Sequence, residues 1–155
     1  MSEVLEPIAV RGIRRLILIL MVVAMIGTAA DLMLLDHHED VWQLVPLVVI
    51  ALGLVSAAAA ATRGGAGAIT LLRVVMALFI GSGMLGLGLH YTGNSEFQRE
   101  LEPSLAGWPL FVKAMTAKAP PALAPAAMIQ MGLLGLLYTY RHPAVRPPLP
   151  DHDSE

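Results

Sequence analysis

Five side chains of this chain carry the donor atoms that a divalent transition metal prefers: Asp31, His37, His38, His90 and Glu96. Imidazole combined with carboxylate is the ligand set of zinc, copper(II), nickel, manganese and ferrous iron. These residues fall in two short polar segments. One is Asp36-His37-His38-Glu39-Asp40, with Asp31 just ahead of it; the other is His90 with Asn94, Glu96 and Glu100. On a helix Asp31 and His38 are seven apart and share a face, and His90 and Asn94, four apart, share one if the helix bearing His90 runs that far. The composition points to a metal more strongly than the spacing does. No HxH, HExxH or ExxH pair occurs, so the four-helix di-iron carboxylate class is a poor match.

A bis-imidazole haem would need His37 or His38 opposite His90, both at a membrane edge, and the second pair usual in b-type cytochromes is missing, since His142 stands alone. A plainer account of the same residues is a solvated acidic turn at 36–40, and a His90 that sits with Tyr91 at headgroup level. Asp31 stands out among them. A carboxylate that follows about 15 uncharged residues and precedes four apolar ones must pair or reach water.

What positions these residues is a set of four apolar stretches, at about 16–35, 41–62, 66–89 and 119–140. Some 20 helical residues rise about 30 Å, the thickness of the hydrocarbon core, so each is long enough to span it. The expected fold is therefore all-α: an integral membrane four-helix bundle forming one domain over residues 1–155, with a cap in the connection 91–118 and a polar tail at 141–155. In that connection Ser95-Glu96-Phe97-Gln98 reads as a capping box opening a short helix from Glu96 to Leu101, which Pro103 stops. Pro109 then opens a second helix to Ala117, whose Trp108, Leu110, Phe111, Val112 and Met115 suit the headgroup layer.

Hydrophobic residues make up 56% of the chain and charged residues 14%, where an ordinary soluble protein has about 25% charged, which agrees with the spans. The net charge of −2 says less than its distribution. Arg11, Arg14 and Arg15 precede span one, Arg63 follows span two, Arg73 lies just inside span three, and Arg141 and Arg146 follow span four. By the positive-inside rule both termini are expected in the cytoplasm, with 36–40 and 91–118 outside. Arg73 is expected to snorkel to the headgroups. The basic run before 16–27, with Thr28-Ala29-Ala30 behind it, also loosely resembles a cleavable secretory signal, but Leu32 to Leu35 extend the apolar run to spanning length, and a retained first span is expected.

Small residues mark where the spans should approach: Gly53, Ala57 and Ala61 in the second, Gly81, Ser82, Gly83, Gly86 and Gly88 in the third, and Ala122, Ala126 and Gly132 in the fourth. Packing within the bundle accounts for them, with a homodimer face as the alternative. Pro120, Pro121 and Pro125 crowd an ordinary helix start.

With no cysteine, disulfides, thiolate metal sites, covalent haem and thiol–quinone chemistry of the vitamin K epoxide reductase type are excluded. No basic cluster interleaved with aromatics points to nucleic acid. Arg outnumbering Lys, with many Ala and Gly, suggests a GC-rich bacterial source and hence an inner membrane. No motif names a substrate or a reaction. The leading expectation is a small non-enzymatic accessory or partner-binding membrane protein, meeting the bilayer and another membrane or periplasmic protein. The alternative is a divalent-metal-handling protein or metal-assisted enzyme using Asp31, His37, His38, His90 and Glu96.

Overall fold

The computed structural model describes residues 7–36, 40–117 and 123–145, and among these every regular element is helical. Helix α1 is Ile8–Leu34, α2 is Val41–Arg63, α3 is Ala66–Leu101, α4 is Gly107–Met115 and α5 is Leu123–Thr139, followed by a 3-10 turn at Pro143–Val145. The first three are long and apolar enough to cross a membrane, which marks a membrane protein. The described part of α5 has 17 residues, about 25 Å at 1.5 Å each, and the start of the fourth apolar stretch at 119–122 lies outside the described residues.

Local chemistry sets the helix ends. Helix α1 stops at Asp36, whose φ is +52°, after the Leu35 amide has closed on the Asp31 carbonyl at 3.0 Å. Helix α2 opens at Asp40, whose amide donates to the Gln43 side-chain oxygen at 3.3 Å, and closes at Gly64, left-handed with φ +60°. Pro46 sits early in α2, where a missing amide costs little.

Helix α3 departs from expectation. It does not end at Leu89 to restart at Glu96; it runs unbroken for 36 residues, roughly 54 Å. No proline lies inside it, and Gly93 and Asn94 lower helix propensity by only about 1 kcal/mol or less each. Continuing a helix adds a hydrogen bond per residue, whereas a new one must be nucleated, so the chain continues until Pro103 forbids it. Ser95 therefore caps nothing: it is buried in mid-helix. Of the connection expected at 91–118, only the short stretch 102–106 separates α3 from α4, which packs back on α3.

Helix α1 packs on α2 and α5, and α3 packs on α2, α4 and α5. The core is rich in methionine: Met21, Met25, Met76, Met128 and Met131 share one buried cluster with Phe79, and all are essentially closed off. Glycines allow the tightest approaches. A Cβ at Gly132 would stand 2.7 Å from the Met76 carbonyl oxygen, and one at Gly83 2.6 Å from that of Pro125, so α3 and α5 meet backbone to backbone. Gly53 admits the Phe79 ring in the same way, whereas Gly81 and Gly88 face open space. Outside this core, Leu16, Leu20, Val23 and Ile26 of α1 and Val48 and Val55 of α2 are exposed, the apolar exterior that hydrocarbon would cover.

Candidate functional site

The helices alternate in direction, so the beginnings of α1 and α3 meet the end of α5, while the end of α1, the start of α2, the later part of α3 and the start of α5 meet at the opposite end, beside α4. The two ends are finished differently. At the first, Arg14 donates to the carbonyl of Tyr138, to that of Tyr140 at 2.9 Å and to that of Arg141 at 3.3 Å. Arg73 donates through Nε to the Thr139 hydroxyl at 3.4 Å and through its terminal nitrogen to the Thr139 carbonyl at 3.0 Å. Arg73 thus meets the end of α5, whose last carbonyls lack intrahelical donors and carry the negative end of the helix dipole.

At the α4 end the same helices leave a cleft of about 190 Å³. Leu32 of α1, Trp42, Gln43, Val45 and Pro46 of α2, Ser82 to His90 of α3 on one side, and Ala124, Pro125 and Met128 of α5 line it. Ser82, Gly86 and Ala124 bring little volume to its wall, beside the close approach of Gly83 to Pro125. Among the described residues its lining contains no Asp, Glu, Lys or Arg.

The expected ligand residues divide around this cleft. His90 lies on its rim, and Leu32 reaches it from α1, so the two polar segments do converge on one end of the molecule. Asp31 does not enter the lining; it is exposed beside the buried Leu32. Glu96 is also exposed, and because α3 is continuous it stands about 9 Å further along and some 120° around from His90. His37 and His38 lie outside the described residues. Among the described residues no three His, Asp or Glu side chains come together as a metal site, so a centre would need 37–39 to join His90.

The unbroken α3 does put Asn94 on the face of His90, and its amide donates to the Ala114 carbonyl of α4 at 3.1 Å. Tyr91, Phe111 and Trp108 form an aromatic row, with ring centres 5.8 Å and then 5.1 Å apart. Lys113 pairs with Glu102 at 2.5 Å, half exposed, and is worth at most about 1 kcal/mol. The Ser95 hydroxyl is buried without a hydrogen-bond partner.

Two of the cleft's polar residues escaped the sequence: Gln43 stands in a helix start, and Ser82 was legible only as a small packing residue. Polar side chains set among apolar ones near a span end were the available signal. No protein-family model, curated protein or solved structure matches the chain, so its role must follow from this geometry.

Proposed function

We propose that this chain is a four-helix bundle of a bacterial inner membrane, with both termini cytoplasmic, and that it works as a non-enzymatic accessory protein whose α4 end engages another membrane or periplasmic protein. One observation carries this. Helix α3 is about 54 Å long against about 30 Å of hydrocarbon, so even when tilted its last turns stand clear of the bilayer. There Phe97 and Leu101, four residues apart on one face, are 56% and 67% exposed. Hydrocarbon about 30 Å thick accounts for the apolar exterior lower down, and α3 is long enough to carry these two beyond it. Trp108 on α4 is 72% exposed as well, and large aromatic and apolar side chains held on a rigid support are what protein interfaces use as anchors.

The orientation is supported by the cations gathered at the arginine end and the acidic residues at the other. A photo-crosslinking residue in place of Phe97, expressed in native membranes, is expected to give a discrete adduct with a second polypeptide. Adducts with lipid alone, or none above those from a control at Leu16, would overturn the reading.

A further inference from the structure

We propose that a groove between α1 and α2 seats one acyl chain of an anionic phospholipid, with the Arg15 guanidinium on the lipid phosphate. This goes beyond partner binding and rests only on α1 and α2 crossing a membrane. The groove holds about 320 Å³ and lies towards the arginine end. Leu18, Ile19 and Val22 of α1 and Ala57, Ala58 and Ala61 of α2 line it, with Ala57 as a buried floor. The alanines make the space, since each sets only a methyl group against the branched side chains of α1.

Width selects the chain. Spread along the rise from Leu54 to Ala61, about 10 Å, the volume amounts to a channel roughly 30 Å² in section, whereas a helix about 10–12 Å across presents about 80–110 Å². A second copy's helix would therefore ride on Ile19 and Val23 at the rim, which are 48% and 61% exposed, and leave the floor empty. A single hydrocarbon chain, whose carbons meet their neighbours at about 3.5–4.0 Å, enters it. Charge selects the headgroup. Arg15 precedes Leu18, Ile19 and Val22 by three, four and seven residues, so it carries the groove's face of α1 to the residue just outside the apolar run. Helical side chains lean towards the N-terminus, which takes its guanidinium out of the hydrocarbon to headgroup level. Arg15 is exposed and, unlike Arg14, makes no hydrogen bond or ion pair among the described residues. Its paired N–H groups match the oxygens of a phosphate.

For the test, the full chain is freed of lipid in a neutral detergent and titrated with dioleoyl phosphatidylglycerol, while native mass spectrometry counts the lipids bound. One tight site is expected, at least fivefold tighter than for dioleoyl phosphatidylcholine. Millimolar inorganic phosphate should not displace the lipid, because the chain holds it as well as the headgroup. Arg15→Gln is expected to weaken binding at least fivefold, and so is Ala58→Leu combined with Ala61→Leu, which fills the groove from its exposed side. Arg63→Gln controls for charge alone. It lies at the same end but about 140–200° around α2 from Ala58 and Ala61, and its loss should weaken binding less than twofold. Equal losses for Arg15→Gln and Arg63→Gln, displacement by phosphate, or equal binding of phosphatidylcholine would overturn the proposal. Unchanged binding in the filled groove, or a dimer that filling the groove dissolves, would do the same. The two arginine variants decide the matter if the filled variant fails to fold. The crosslinking result at Phe97, at the other end, is independent of all these.

Discussion

The two ends of the bundle are built from the same four helices and finished in opposite ways. At the arginine end, side chains from α1 and α3 reach across to the carbonyls at the end of α5. At the α4 end, small residues and prolines stop the helices from filling the space, and a cleft with three polar side chains remains. Side-chain-to-backbone bonds are concentrated where the chain closes on itself, and open space where it does not. The difference also separates two roles for polar residues near a bilayer. Arg14 and Arg73 are committed to backbone carbonyls of another helix, while Gln43 caps its own helix and, with Ser82 and His90, borders an open cleft.

The largest effect is expected between the ends, at the seam that both depend on. Gly132→Val places its Cβ within 3.1 Å of the Ile80 amide and nearer still to the Met76 carbonyl, which are backbone atoms and cannot swing aside. A loss of about 3 kcal/mol or more is expected, seen as collapse of the thermal transition in detergent, while Gly81→Val, facing open space, should leave it unchanged. If both glycine variants behave alike, the α3–α5 contact is not what holds the ends in register.

At the arginine end, Arg14→Met strands three carbonyls of the α5 terminus, and a loss of about 1.5–3 kcal/mol is expected. Arg14→Lys should recover only part, because an ammonium cannot reproduce the guanidinium fork. Asp31→Asn, the charge change at the other end, should move stability by less than about 0.5 kcal/mol, since its carboxylate is exposed. Equal losses for Arg14→Met and Asp31→Asn in chemical unfolding would erase the contrast.

The smallest effect has the opposite sign. The buried Ser95 hydroxyl has no partner, so Ser95→Ala is expected to raise stability by about 1 kcal/mol while α4 stays docked. A destabilised variant would show that the hydroxyl meets a partner that the described residues do not include.

The span positions were legible because hydrocarbon imposes a length and a composition that few other solvents do: α1, α2 and the first two-thirds of α3 fall where the apolar runs lie. The far end of α3 was not, because Ser95 and Gln98 carry a capping pattern whether or not a helix is already running through them, and the local pattern holds no record of that. The partner of Arg73 was not legible for a related reason. Thr139 is 66 residues away, and the pairing is created only by the packing of α3 on α5. Of the residues first singled out, His90 reaches the cleft, Asp31 and Glu96 do not, and His37 and His38 lie beyond the description. Side-chain chemistry drew attention to one end of the molecule; the helix phase that decides which side chains meet is a tertiary property.

The bonds from Arg14 to the end of α5 span 124 to 127 residues, and this bears on how the protein is made. Arg14 and Arg73 are synthesised long before the carbonyls they will hold, and until then water or lipid phosphate must satisfy them. A chain that stalls or is clipped before Tyr138 keeps its early helices apolar enough to insert, yet presents two unmatched guanidiniums at the membrane surface. Completion of the last helix is thereby written into the first. An unfinished copy carries a visible mark of incompleteness that membrane proteases and chaperones can act on, and a finished one conceals it.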